Sequence, residues 1–207
     1  LLRWAVIALN GLGKHKEAVD VAEYLFARDP VGNISRVNLA STCILAGQFE
    51  DAVRICEIHV ASIEENGPCR SRLLVAYLYT GNPDGAKDQL ERAAGTRTYL
   101  RLAPMVFYSL GAQDSYNTAL SDLRERYTNG DASMAYWLAR TYAFTNEIDQ
   151  AFEWLYRARA DGVLSLTATS SYFVHLHGDP RWRELLRELD KLPERTEQLH
   201  LSVRLPG

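Results

Sequence analysis

A short motif recurs three times in the first half of the chain, at an interval of 34 residues. It consists of a glycine followed five residues later by an alanine, with apolar residues at helical spacing on both sides. This pattern predicts pairs of helices joined at a glycine turn, where the small alanine lets the two helices approach closely. A unit of this size cannot bury its apolar face alone, so we expect successive units to stack. The motif residues are Gly13 and Ala18, Gly47 and Ala52, and Gly81 and Ala86.

The interval and the end of the first pair resemble the tetratricopeptide (TPR) repeat. Asp29 and Pro30 follow the second predicted helix, and proline cannot continue the helical hydrogen-bond ladder. A repeat of about 34 residues, built from a helix, a turn and a second helix, is typical of TPR proteins. The resemblance implies an all-α, right-handed superhelix (solenoid) of stacked helical hairpins.

Two less regular units follow the three strict ones. Residues 100–129 keep the helical periodicity and Ala119, but Pro104 lies in the first helix and the turn glycine is missing. In the last unit Asn146 stands at the turn, and asparagine tolerates the left-handed conformation. We therefore predict about five hairpins and a C-terminal cap. The predicted boundaries are a repeat domain over 1–190, with repeats 1–30, 33–66, 67–98, 100–129 and 132–161 and a cap over 163–190, and a tail over 191–207.

The predicted cap contains a helix with a clear start signal. Asp179 suits the N-cap position and Pro180 the first helical position. The apolar residues after them form one stripe with charged residues on the opposite face, so we expect this helix to cover the last repeat. The stripe consists of Trp182, Leu185, Leu186 and Leu189.

A narrower resemblance concerns the C-terminal third. The stretches 149–155, 179–186 and 192–193, together with Ala158, are similar to the C-terminal part of TPR regions in bacterial signalling proteins. That group includes adenylate cyclases, winged-helix regulators and protein kinases. The resemblance implies a non-catalytic sensor or assembly domain in a larger signalling or regulatory protein.

Charge, hydropathy and cysteine pattern exclude several classes of function. The net charge is −3 and no basic run is interleaved with aromatic residues, so nucleic-acid binding is not expected. No apolar run reaches the roughly 18 to 20 residues of a membrane helix, so membrane insertion is not expected. Cys43, Cys56 and Cys69 match neither a zinc pattern nor a disulfide framework. We interpret them as small core residues in a reducing cytoplasm, and a periplasmic location stays open.

No catalytic, metal or cofactor site can be assembled from the sequence. Gly13 and Lys14 lack the preceding strand and the spacing of a phosphate-binding loop. His175 and His177 would point away from each other on a helix. His59 falls on a buried repeat position and His15 in a turn. The sequence therefore predicts a protein that is not an enzyme and holds no cofactor or metal.

In TPR stacks the first helices line a concave groove, so the resemblance implies that a ligand contacts their free faces. Here those faces are rich in aromatic residues and arginine, the residue types that carry most binding energy at interfaces. We therefore predict that a partner protein or peptide binds there as an extended or helical segment. The best candidates for this contact are Tyr79, Tyr108, Tyr136, Trp137, Arg140 and Phe144.

A carboxylate clamp, as in TPR co-chaperones that hold an acidic C-terminus, is a sharper alternative. Arg3, Asn38 and Arg72 stand at positions that match such a clamp, and charge-assisted bonds would supply its affinity. Small-molecule sensing in the aromatic groove is a further alternative.

Another alternative is the regulatory or dimerisation region of an enzyme such as a cyclase or kinase. The helical pattern is already present at Leu1, so we expect further sequence upstream. A homodimer is also open, because the alternating apolar residues of the tail could lie in the chain's own groove or in a neighbour's. These residues are Leu199, Leu201, Val203 and Leu205.

Overall fold

The computed structural model describes residues 2–62, 67–196, 198, 199, 203 and 205, and over these residues all regular structure is helical. The side chains of residues 59–62 are not part of this description, so the predictions for His59 and Leu201 lie outside the described residues. The α-helices are α1 (Leu2–Gly11), α2 (His15–Arg28), α3 (Asn33–Leu45), α4 (Phe49–Ser62), α5 (Gly67–Tyr79), α6 (Pro83–Glu91), α7 (Arg97–Ser109), α8 (Gln113–Thr128), α9 (Met134–Phe144), α10 (Ile148–Ala160), α11 (Pro180–Glu188) and α12 (Pro193–Thr196), and a 3-10 helix spans Ser171–Leu176.

The chain divides into two compact units. Unit 1 holds the described residues within Leu1–Thr80, Leu166–Ser171 and Leu186–Gly207, and unit 2 holds Gly81–Ser165 and Tyr172–Leu185. The division falls inside the predicted repeat 67–98, since α5 belongs to unit 1 and α6 to unit 2. It also divides the predicted cap 163–190 between the two units.

Within each unit, helices that follow one another in the chain pack together. In unit 1 this holds from α1 to α5, and α3 also packs against α1 and α5. In unit 2 it holds from α6 to α10, and α7 also packs against α9. Contact between neighbours and next-but-one neighbours is typical of a helical repeat. Because all regular structure over the described residues is helical, the predicted all-α class is confirmed. Within the described ranges, each helix is too short or too polar to cross a bilayer.

The predicted turn residues have the backbone conformation that the repeat requires. Gly13, Gly47 and Gly81 have φ of +74°, +77° and +73°, and Asn146 has φ of +63°. In this left-handed region a Cβ is strained, which explains the choice of glycine and asparagine. The alanines five residues later are fully buried, as predicted: Ala18, Ala52, Ala86 and Ala151.

The prediction that the fourth unit lacks its turn glycine is wrong. Gly111 has φ of +68°, and the N–H of Ala112 donates to the carbonyl of Phe107 at 2.9 Å, the same bond that closes the turns at Gly13, Gly47 and Asn146. Tyr116, not Ala119, then occupies the position five residues after the turn. The physical reason is that α6 has nine residues where α2 and α4 have fourteen, so the next turn comes only 30 residues later.

The start of α11 is as predicted. The Asp179 carboxylate accepts the backbone N–H of Arg181 at 2.9 Å, which caps the helix. Trp182, Leu185 and Leu186 are buried. The cap differs from the prediction in its first part, because Leu166–Ser171 packs in unit 1 and not with the last hairpin.

Candidate functional site

The first candidate site lies in unit 1, where α1 and α3 end. The last carbonyls of an α-helix have no partner within the helix and carry the negative end of its dipole. They therefore attract hydrogen-bond donors. We call the surface formed by Gly13, His15 and Ile44 the turn surface.

A segment from the far end of the chain lies on the turn surface. Leu166–Ser171 forms a tight turn, in which the N–H of Ser170 donates to the carbonyl of Thr167 at 3.1 Å, and it carries hydroxyl side chains at Thr167, Thr169 and Ser171. The Thr169 hydroxyl donates to the Gly13 carbonyl at 3.2 Å, and the Ser171 hydroxyl donates to the Ile44 carbonyl at 2.7 Å. The Thr167 hydroxyl lies 3.4 Å from His15 Nε2. All three hydroxyls therefore face the turn surface.

Gly13 permits this close approach. A Cβ at this position would lie 3.1 Å from Thr169 Oγ1 and 3.5 Å from Thr167 Cβ, so any larger residue would push the segment away. At Gly47 a Cβ would lie 4.0 Å from Ser171 Cβ, an ordinary contact distance. Gly13 and Gly47 therefore share a backbone conformation, but only at Gly13 would an added Cβ crowd the segment.

His15 links the segment to the helices beneath it. Its Nδ1 lies 3.1 Å from the side-chain oxygen of Asn10, whose amide donates to Thr42 Oγ1 at 3.2 Å. The Thr42 hydroxyl donates in turn to the Asn38 carbonyl at 2.9 Å. Burial lowers the pKa of His15. The neutral ring can donate from Nδ1 to Asn10 and accept the Thr167 hydroxyl at Nε2.

The second candidate site is a stack of alternating cations and rings in unit 2. Two guanidinium groups lie over the Trp137 ring, at centroid distances of 5.1 Å for Arg101 and 4.6 Å for Arg140. The Arg140 guanidinium also lies 3.7 Å from the Tyr172 ring. Such contacts strengthen when the cation is desolvated, and Arg140 is buried. We call these four residues the cation–aromatic stack.

Arg140 was predicted to lie on a free helix face, and this prediction is wrong because its side chain is buried. Tyr172, in the 3-10 helix, covers its guanidinium, so Arg140 cannot meet a ligand in this conformation. Tyr136 is covered by the same segment, since its ring lies 5.9 Å from that of Phe173, and burial raises the pKa of Tyr136 to about 12. Tyr136 also packs edge-on against Trp137 at 5.8 Å.

The exposed member of the predicted groove in unit 2 is Tyr108, which packs against the half-buried Phe144. Their rings lie 6.3 Å apart in edge-to-face geometry. The Tyr108 ring also lies 5.6 Å from that of Tyr116, and Tyr108 remains 45% exposed. An exposed aromatic surface supported from below by a buried ring is suited to a partner side chain.

The remaining predicted residues lie in unit 1. Tyr79 stacks on Phe49, with ring centroids 4.5 Å apart and an angle of 10° between the rings. Of the clamp residues, Arg72 donates from Nε to Ser41 Oγ at 2.8 Å. Arg3 and Asn38 line one pocket of about 150 Å³. Its other lining residues are Ala22, Leu25, Arg28, Asp29 and Ser35.

Sequence reasoning missed Arg101 and Tyr172, for different reasons. Arg101 stands ten residues before Gly111, as Arg3 stands ten residues before Gly13. Recognising Gly111 as the turn would therefore have placed Arg101 on the groove. Tyr172 lies in a weakly patterned segment, and no signal in the sequence connects that segment to Arg140.

The tail residues that are described do not fill a groove. Leu199 is 54% exposed and Leu205 is 40% exposed. Two lysine contacts join the tail to the end of α1: Lys191 Nζ donates to the Gly11 carbonyl at 3.3 Å, and Lys14 Nζ donates to the Leu199 carbonyl at 2.8 Å. The tail is thus held at this point by backbone carbonyls.

Neither metal-ligand geometry nor similarity to known proteins adds a site. Over the described ranges, no three His, Cys, Asp or Glu side chains are grouped so that they could hold a metal ion. No model of a known protein family and no curated protein sequence matches the chain. The two candidate sites therefore rest on the contacts within each unit.

Proposed function

We propose that the chain is a non-catalytic binding module, a right-handed TPR-like solenoid of about five hairpins, that holds a short segment of a partner protein. The observation that carries this proposal is the seating of Leu166–Ser171 on the turn surface of unit 1. The surface accepts a turn-forming segment through hydroxyl groups that donate to the Gly13 and Ile44 carbonyls. The partner class is therefore a short turn-forming segment with Ser or Thr at alternate positions.

The chemistry of the turn surface supports this choice of partner. Its acceptors are backbone carbonyls at helix ends, which favour hydrogen-bond donors and disfavour acidic groups. A Cβ at Gly13 would lie only 3.1 Å from Thr169 Oγ1, so a partner segment packs closely over the turn. The chain's own segment meets both requirements and would compete with a partner for the same surface.

Tyr108 and Phe144 are proposed as contact points in unit 2 for a longer partner. The other members of the predicted groove set would then stabilise the fold and not contact the partner. These residues are Tyr79, Tyr136, Trp137 and Arg140. In line with the resemblance to bacterial signalling proteins, we propose that the module serves as a sensor or assembly domain of a larger protein. Restraint or dimerisation of a catalytic domain is the alternative use of the same surfaces.

A peptide displacement experiment tests the proposal. The variant with Thr167→Val, Thr169→Val and Ser171→Ala keeps the shape of the segment but removes its hydroxyl donors. A fluorescent peptide of wild-type sequence 164–174 is expected to bind this variant at least about tenfold more tightly than it binds the wild type, a difference of about 1.4 kcal/mol. Fluorescence anisotropy measures the affinity, and circular dichroism verifies that the variant is folded.

Two controls make the result decisive. A peptide with Val, Val and Ala at the three hydroxyl positions is expected to bind neither protein, and Tyr108→Ser is expected to leave the affinity for the short peptide unchanged. If the folded triple variant binds no wild-type peptide up to about 1 mM, where the association free energy is only about 4 kcal/mol, the turn surface is not a recognition site.

The pocket shared by Arg3 and Asn38 favours a second candidate, recognition of a terminal carboxylate. Arg28 also lines this pocket, so two cations and an amide surround it, although Asp29 is present as well. A peptide ending in Glu-Glu-Val-Asp is the probe, and the same peptide with an amidated C-terminus is its control. Equal affinity for the two peptides, or binding of neither, would exclude the clamp.

A further inference from the structure

Two cysteine side chains meet in the core of unit 1. Cys56 in α4 and Cys69 in α5 are both fully buried, and their sulfur atoms are 3.0 Å apart. They belong to one apolar cluster with Ala40 and Leu73. From the sequence we interpreted the cysteines as separate small core residues. The pairing could not be predicted, because 13 residues separate Cys56 from Cys69 and no short motif joins them.

The surroundings distinguish the two thiols. The two sulfurs share a hydrogen bond in which either thiol can be the donor. This bond, with the positive charges of Arg36 and Arg72, lowers the pKa of Cys69. Cys69 is also the third residue of α5, where the helix dipole favours a thiolate. Hydrogen bonding and burial raise the pKa of Cys56. Cys69 is therefore the member of the pair that ionises first.

Cys43 provides an internal comparison. It is equally buried, but burial and the negative charges of Asp51 and Glu23 raise its pKa to about 12. A thiol that stays protonated is a poor nucleophile. The same core thus contains one unreactive thiol and one pair arranged for reaction.

We infer that Cys56 and Cys69 are a redox-active pair that closes to a disulfide joining α4 to α5. With hydrogen peroxide as the oxidant, the Cys69 thiolate attacks one oxygen, the O–O bond breaks, and Cys69 becomes a sulfenic acid while the released hydroxide takes a proton to form water. The Cys56 sulfur then attacks the Cys69 sulfur, the S–O bond breaks, and a second water leaves with the Cys56 proton. Two thiols and one peroxide give one disulfide and two waters.

The geometry needs little change for this reaction. A disulfide has an S–S distance of about 2.05 Å, so the two sulfurs must approach by about 1 Å. Cys69 is near the start of its helix, and helix ends open locally at a lower free energy than the middle of a packed element. Oxidant therefore reaches the pair through opening at the start of α5, and a dithiol reductant reverses the reaction by thiol–disulfide exchange.

The test is a thiol titration of the whole chain under native conditions. After peroxide treatment, two of the three thiols are expected to be lost. Cys56 and Cys69 share one tryptic peptide, so the digest uses Glu-C, which cuts between them after Glu57 and Glu65. Without reductant, this digest should contain one peptide pair linked through Cys56 and Cys69. The Cys43→Ser variant is expected to form the same link at the same rate. In Cys56→Ser, Cys69 is expected to be trapped as a sulfenic acid, detected with a dimedone label, and no link should form.

Thermal unfolding provides the second readout. The oxidised wild type is expected to melt roughly 5 to 10 °C above the reduced form, since the link closes a short loop of the unfolded chain. Three outcomes would overturn the inference: thiols that react only after unfolding, a link that contains Cys43 as often as Cys56, or equal melting temperatures for the two forms. The wild type and Cys43→Ser alone decide this if Cys56→Ser does not fold.

Discussion

Replacing Gly13 by alanine is expected to destabilise unit 1 more than replacing Gly47 by alanine. Both glycines lie in unit 1 with nearly the same left-handed φ, +74° and +77°. The backbone cost of an alanine Cβ is therefore nearly equal, about 1 to 2 kcal/mol. The lower freedom of the unfolded chain offsets about 0.4 to 1 kcal/mol of it at each site.

The difference between the two variants comes from Leu166–Ser171. At Gly13 the new Cβ lies 3.1 Å from Thr169 Oγ1, so the hydroxyl must move away from the carbonyl that it now donates to. The loss of such a hydrogen bond costs about 0.5 to 1.5 kcal/mol. At Gly47 the nearest atom is 4.0 Å away, and no bond has to break. We expect Gly13→Ala to cost about 1 kcal/mol more than Gly47→Ala.

Urea unfolding followed by circular dichroism measures both variants and the double variant Gly13→Ala/Thr169→Ala. Because Thr169→Ala removes the atom that the new Cβ meets, the double variant should lose less stability than the sum of the two single losses. Equal losses for Gly13→Ala and Gly47→Ala, with strict additivity in the double variant, would refute the seating of the segment over Gly13.

Three further outcomes are expected. Burial lowers the pKa of His15, so the stability that neutral His15 contributes is present above about pH 6.5 and is lost as the pH falls from there toward the folded-state pKa. The urea midpoint of the wild type should therefore drop between neutral pH and about pH 5, and the midpoint of His15→Gln should drop less. Ala86→Leu should cost more than Ala119→Leu in a thermal melt, because only Ala86 lies five residues after its turn glycine, where overpacking costs about 1 to 3 kcal/mol. Asp149→Asn, which removes the ion pair with Arg181, should leave the melting temperature unchanged, because Asp149 is 88% exposed.

The fold was predictable where local backbone geometry determines the residue. A left-handed turn needs glycine or asparagine, so Gly13, Gly47, Gly81 and Asn146 could be recognised from spacing alone. Gly111 does not fall on a constant interval from Gly81, because α6 is shorter than its counterparts. The class of fold and most buried positions thus follow from local rules.

The candidate sites were less predictable because they depend on contacts between distant parts of the chain. Thr167 and Thr169 are ordinary surface residues by sequence, and only the carbonyls of α1 and its turn give them a role. Arg140 could be placed on the correct helix, but its burial depends on Tyr172, whose position has no periodic signal. The Cys56 and Cys69 pair likewise arises from packing of α4 on α5.

The contact between Thr169 and Gly13 joins residues 156 positions apart in the chain. Most other helix contacts in unit 1 are between neighbours, which form rapidly and can be made as the chain emerges from the ribosome. The first turn of unit 1 is different, because Thr169, Lys191 and Leu199, which contact it, all belong to the last fifth of the sequence. During translation the turn surface therefore stays open to chaperones or partners until the C-terminal segment arrives.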